Sequence, residues 1–265
     1  MRFFGLCLLA SIFHFPLKAQ LSNFQYLGED YYADELYLGL SIRHVNLEFP
    51  NAIPPEKHRM SAWTGDFLLY RTNLEAGGMR YLYRNKILGE IFYGFGEDFT
   101  DIARAEGSTF SHFLIGAHDF NWNLWVRDRW ALAMGFNLTD LALGSTFIVK
   151  DSLGYEHLFT PAPHGWYLGA GPSLMADYLI SDFFLLELQA DYTFHFKNLV
   201  PLTYGEKAPG IAMPHQYFLS AHLLTSWGLY TGVEASFLND RSAYNGDAQK
   251  LEWQFGFRLM LYKKR

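Results

Sequence analysis

The stretch Phe183 to Phe196, "FFLLELQADYTFHF", alternates strictly over most of its length. Every even position from Phe184 to Phe196 is apolar, and every odd position from Glu187 to His195 is polar. A period of two is the signature of a β-strand with one apolar and one polar face. The pattern recurs. "RWALAMGFNL" puts Trp130, Leu132, Met134, Phe136 and Leu138 on one face; "HDFNWNLW" does so with Phe120, Trp122 and Leu124. "GLYTGVEASF" sets Leu229, Thr231, Val233, Ala235 and Phe237 against Gly232, Glu234 and Ser236. "KLEWQFGFRLML" and "ELYLGLSIR" alternate in the same way, and "HGWYLGAGPSLMADYLI" and "PHQYFLSAHLL" fit with more noise. The chain reads as all-β.

The connections alternate too. Short turns are expected at Asn85, Arg127-Asp128, Ser181-Asp182 and Trp227-Gly228. Long connections rich in Pro, Gly, Asn and Asp are expected over Pro50–Asp66, Glu97–Ser108, Phe147–His164, Asn198–Pro214 and Asn239–Gln249. Within Phe67–Gly96 the pattern predicts a strand ending near Tyr83, a turn at Arg84-Asn85-Lys86 and a return strand through Ile91 and Phe95. The sum is an antiparallel up-and-down barrel of about ten strands, starting and ending on the short-turn side. Eight and twelve strands are the alternatives, and they hinge on Phe67–Gly96.

Alternation alone does not say which face is wet. A soluble barrel hides its apolar face, whereas a membrane barrel turns it to lipid. Three features favour lipid. The polar face carries Gly, Ala and Ser among its charges, as a crowded lumen requires. Trp125, Trp130, Trp166, Trp227, Trp253 and Tyr262 gather near strand ends, like the aromatic girdles of a bilayer interface. Short turns opposite long loops are also the membrane-barrel pattern. Aromatic residues make up 18% of the chain and charged residues 18%, an aromatic-rich, charge-poor balance for a soluble domain. Mean hydropathy is nevertheless −0.04, because polar and apolar residues interleave.

The N-terminus, "MRFFGLCLLASIFHFPLKAQ", reads as a signal peptide over residues 1–19, with Arg2 before an apolar run and Ala19 before the cut. Residues 20–33 then form a periplasmic N-terminal segment, and residues 34–265 the barrel. Removing Arg2 and Lys18 takes the net charge from −6 to −8. That acidity, with no basic patch, argues against a nucleic-acid partner. Cys7, the only cysteine, leaves with the leader, so no disulfide is expected. No metal-ligand spacing or cofactor motif is present.

Residues 34 to 263 resemble the small, single-chain outer-membrane β-barrels of Gram-negative bacteria. The most specific part is the end of the chain. Gln254, Gly256, Leu259 and Leu261 are similar to the family's C-terminal signal, polar-x-Gly-x-x-apolar-x-apolar, ahead of a Lys263-Lys264-Arg265 tail where many members stop at an aromatic. The resemblance implies a bacterial outer-membrane location, with outer-membrane lipid and the barrel assembly machinery as partners.

On this register Arg43, Glu90, Asp119, Asp177, Glu187, Asp191, His195, His222, Glu234, Glu252 and Arg258 face the lumen. About ten strands make a narrow barrel, which side chains can fill. The expectation is a salt-bridged plug, with a structural or loop-mediated binding role and an unidentified partner at the outer loops. One alternative is a narrow pore that favours cations, given the acidic excess. The other is an outer-membrane hydrolase acting on lipid or peptide, as the resemblance implies for some members. Its weak candidates are Asp191 and His195, with Ser220 and His222 on the following strand. Asp191 and His195 are four residues apart on one strand, about 13 Å, whereas an acid–base pair needs about 3 Å.

Overall fold

The computed structural model describes residues 34–49, 58–73, 77–85, 103–111, 116–150, 156–159, 165–201, 213–239 and 247–264. The expected leader, the segment 20–33, Glu90, His112, His164 and the return strand through Ile91 and Phe95 lie outside them. The described strands are β1 (Asp34–Phe49), β2 (His58–Asn73), β3 (Met79–Asn85), β4 (Ala103–Ser111), β5 (Ala117–Arg127), β6 (Trp130–Lys150), β7 (Glu156–Phe159), β8 (Gly165–Ser181), β9 (Phe184–Pro201), β10 (His215–Thr225), β11 (Leu229–Asn239) and β12 (Ala248–Lys264).

All pairings are antiparallel. The wall runs β6-β5-β3-β2-β1-β12-β11-β10-β9-β8, and β8 pairs back to β6 from Trp130↔Tyr178 to Leu143↔Gly165. This is a closed ten-stranded antiparallel barrel. Two of the staves are interrupted. β5 pairs with Trp130–Thr139 of β6, and β4 continues that line along Ala142–Val149. Likewise β7 pairs with Phe147–Lys150 beyond the point where β8 ends. At the first interruption Gly116, at a positive φ of 77°, donates its N–H to Asp140 (2.7 Å), and Asp140 also accepts the indole N–H of Trp166 (2.9 Å).

The tight turns gather at one end, at Gly77-Gly78, Asp128-Arg129, Asp182-Phe183 and Ser226–Gly228. Asp34 and Lys264 pair there as well, so both ends of the wall lie on the short-turn side.

The region Phe67–Gly96 corrects the sequence reading. Asn85 is not a short turn. The hairpin reverses earlier, between Asn73 and Met79, and Gly77 takes a positive φ of 76° there. β2 starts at His58, inside a stretch read as a connection, and Arg84 sits within the ladder, opposite Leu68 on one side and Ala117 on the other. The region still supplies a strand end and a strand to the wall, so the count of ten is unaffected. β4, β7, the end of β6 and the end of β9 also extend into segments read as loops.

Facing follows the alternation. Leu188 is 38% exposed and Phe194 46%, whereas Glu187 and Gln189, on either side of Leu188, are 4% and 6%. Along β12, Trp253, Phe255, Leu259 and Leu261 are exposed on the outer surface. From Trp253 to Leu261 that surface is about 20 Å tall for a strand tilted about 40°. Trp125, Trp130 and Trp227 are exposed at the short-turn end, and Trp63 and Trp253 towards the other.

One joint in the wall is made by a side chain. Pro172 lies opposite Tyr192 in the β8–β9 ladder and has no N–H to give it. Asn137, buried on the inner face of β6, donates to both the Pro172 and Tyr192 carbonyls (3.1 Å each) and accepts the Thr193 hydroxyl proton (2.8 Å). Its place in an Asn-Leu-Thr sequon is therefore incidental, since the amide faces inward. Asn137→Ala removes a donor from both carbonyls. The expected loss is about 1–3 kcal/mol of stability, read as a lower denaturant midpoint for the folded barrel.

Candidate functional site

The lumen is filled in layers, and each layer is fixed by inward parity on several strands. At the short-turn end Leu68, Tyr70, Leu82, Ala133, Met175, Leu224 and Tyr230 form one buried cluster, with Tyr37 and Leu185 packed against it. These residues come from β2, β3, β6, β8, β10, β11, β1 and β9, so the cluster crosses the barrel from wall to wall. Two glycines make room for large neighbours. A Cβ on Gly256 would lie 2.6 Å from the Tyr230 ring, and one on Gly232 would collide with the His222 ring.

Arg258 of β12 lies against this cluster, its guanidinium 5.0 Å from the centre of the Tyr70 ring and 5.2 Å from that of Tyr230. Its two terminal nitrogens grip Glu187 in a fork (2.8 and 3.3 Å), the geometry that a planar guanidinium favours. Beside it Arg80 pairs with Asp177 and donates through Nε to Asn123 (2.5 Å). His222 stands between two carboxylates, 4.0 Å from Glu187 and 3.6 Å from Glu234.

The next layer centres on Arg84, which reaches Asp119 (2.8 Å) and Asp191 (3.1 Å) and stacks over Phe218 at 4.0 Å. Gln189 donates to both Asp191 oxygens (2.8 and 3.1 Å), and Asn121 donates to Ser173 (3.0 Å). Nearest the long connections, Glu252 accepts from Arg43 (2.8 Å) and forms an ion pair with Lys250 (2.6 Å). On β9, His195 donates Nδ1–H to the Pro214 carbonyl (2.8 Å).

The structure places Arg43, Asp119, Asp177, Glu187, Asp191, His195, His222, Glu234, Glu252 and Arg258 inside and buried. Several of these pairs span the lumen, such as Arg84 of β3 with Asp191 of β9. Sequence reasoning missed Arg80, Arg84 and Lys250, as well as the whole apolar layer. Parity alone would have found Tyr230, Leu224 and Met175, since they sit two residues from Gly232, His222 and Asp177.

The weak hydrolytic set is not assembled. The β9–β10 register puts Phe218 opposite Asp191, Gln189 opposite Ser220 and Glu187 opposite His222. Asp191 is engaged by Arg84 and Gln189, deep in the barrel rather than at a rim. Among the described residues no three His, Cys, Asp or Glu side chains converge as a metal site. Two outward histidines are bonded in the wall, His118 to Tyr81 (2.8 Å) and His215 to Tyr192. In the C-terminal motif Gln254 and Gly256 point inward and are buried, while Leu259 and Leu261 point outward and are exposed.

No family model and no curated protein matches the chain. Among solved structures it is similar to the translocator domain of the autotransporter NalP from Neisseria meningitidis, at 12% identity over 96% of this chain and 98% of that one, with a TM-score of 0.34. It is also similar to the CymD monoaromatic hydrocarbon channel (8% identity, 86% and 89% covered, TM-score 0.26) and to OpdQ of Pseudomonas aeruginosa (10%, 86% and 98%, TM-score 0.22). The ten-stranded closure stands on the strand pairing itself.

Proposed function

We propose that the chain is an integral protein of the bacterial outer membrane, a barrel whose lumen is a rigid plug rather than a passage. The observation that carries the reading is the filled cross-section, in which an apolar cluster and ion pairs join opposite walls inside a surface of exposed apolar side chains. A closed sheet satisfies its backbone groups in a medium without water, which an open one cannot do. The short-turn end faces the periplasm and the long connections face outward. Any recognition of a partner then falls to those outer connections, held on a stiff scaffold. The inward Gln254 and Gly256, with the outward Leu259 and Leu261, are the surface that the assembly machinery would read on β12.

Expressed with its leader, the protein fractionates with outer membranes and runs as a compact, heat-modifiable band on SDS gels. In planar bilayers the purified barrel shows no steady conductance. A soluble periplasmic product would overturn the location, and steady single-channel steps would overturn the plug.

A further inference from the structure

We propose that the outer face of β3 and β5 is a contact surface for a second copy of this chain, formed about a twofold axis along the membrane normal. The inference rests on the membrane-barrel reading and goes beyond it, since a closed barrel can stand alone in lipid.

The outer surface is not uniform in chemistry. Tyr81 and Tyr83 of β3 and His118 of β5 point outward. His118 pairs with Leu138, eight residues up β6 from Trp130. That puts it about 20 Å above the short-turn girdle, inside an apolar band about 25 Å tall. Tyr83 stands opposite His118, and Tyr81 stands opposite Phe120, one outward position lower. The three polar groups fall within about 8 Å of height. At that depth the described outward positions of β1, β6, β8, β9, β10 and β12 are apolar. Thr231 of β11 gives its hydroxyl to the Gln254 carbonyl (3.0 Å). The other outward tyrosine–histidine pair, Tyr192 with His215, sits higher, because Tyr192 is four residues above Leu188, about 10 Å nearer the long connections. An ionisable side chain turned to hydrocarbon is costly, and such groups inside the band mark surfaces that protein covers.

The patch is also assembled before any partner arrives. The Tyr81 hydroxyl is hydrogen-bonded to His118 Nδ1 (2.8 Å), and the Tyr83 ring centre lies 4.7 Å from that of His118. Phe67 packs beside Tyr83 at 5.9 Å, and Phe120 beside Tyr81 at 5.2 Å. Rings held this way lose little freedom on association. A twofold axis is the commonest symmetry of paired chains, and along the membrane normal it sets each residue against others of equal height. With the axis beside β3, tyrosine hydroxyls and imidazoles of the two copies meet, and each is both donor and acceptor. The same axis brings β2 of one copy against β5 of the other. Arg71, exposed and opposite Tyr81 on β2, then meets Trp122 of the second copy at nearly the same height. That is a cation over an indole face, a favourable contact that hydrocarbon does not offer.

The test has two arms. In the first, the mass of the purified barrel is measured in mild detergent and in lipid nanodiscs, with a dimer expected for the parent. Tyr81→Phe, Tyr83→Phe and His118→Leu are then combined. Self-association is expected to weaken about tenfold or more, while the heat-modifiable band is kept. Leu188→Phe, across the barrel on β9, leaves the dimer intact. The second arm keeps all three polar groups, so it does not depend on that variant folding. With Cys7→Ser as background, Phe120→Cys and Leu188→Cys are each treated with copper phenanthroline in outer membranes. Phe120→Cys is expected to give a band of twice the mass, and Leu188→Cys to give none. A monomeric parent, a triple variant that stays dimeric, or equal cross-linking at the two positions overturns the proposal. So does a Phe120→Cys adduct with a different protein. A soluble product without a heat-modifiable band is a separate failure, that of the membrane reading itself.

Discussion

Arg84→Met lowers the stability of the folded barrel by about 3–5 kcal/mol, the usual consequence of leaving a buried charge without its partner. Arg84 bridges Asp119 and Asp191, at 2.8 and 3.1 Å. Methionine keeps much of the volume over the Phe218 ring but leaves two carboxylates facing each other. The check is equilibrium denaturation of the refolded barrel, followed by the shift of the heat-modifiable band. Adding Asp119→Asn and Asp191→Asn to Arg84→Met removes the stranded charge and is expected to restore a large part of the loss. If Arg84→Met alone leaves the midpoint unchanged, the cross-lumen pairing is not a structural element of the barrel.

Leu188→Arg tests the outer surface in the same way. Leu188 is exposed near the middle of the apolar band, between the buried Glu187 and Gln189. An arginine there costs about 2–4 kcal/mol if it lies at the bilayer midplane. The inserted fraction should fall accordingly, while Leu188→Phe inserts as the parent does. Equal insertion of the arginine and phenylalanine variants would mean that this surface does not meet lipid.

How much of this was legible in the sequence depended on whether the two faces of a strand differ. In β5, β6 and β8–β12 one face is mostly polar or small and the other apolar, so parity fixed the facing of Glu187, Asp191, Glu234 and Glu252 correctly. β2 is different. Phe67 and Leu69 point outward while Leu68 and Tyr70 point inward into the apolar cluster, so "FLLY" carries no alternation and the strand could not be bounded. The same layer draws on β3, whose Arg84 and Asn85 resemble a polar turn next to Lys86 but belong to the ladder. Parity also says nothing about partners. That Arg258 meets Glu187 while Asp191 meets Arg84 depends on the heights of strands far apart in sequence, and only the register supplies those. The hydrolytic candidates failed for that reason: their residue types were present, but Phe218 and not a histidine stands opposite Asp191.

The pairing of β1 with β12 bears on the order of events during assembly. Arg43 and Glu252, joined across that seam, are 209 residues apart in the chain, and no earlier pair of strands can substitute for it. Until β12 emerges, β1 and β11 are two open sheet edges, both able to pair with other chains. Contacts so distant in sequence make unassisted closure slow and leave those edges exposed to aggregation while it waits. A helper that holds the edge of β12 until β1 is in reach would shorten that interval. The rate at which the compact band appears should then depend on the helper's concentration, and much less on the stability of the finished wall.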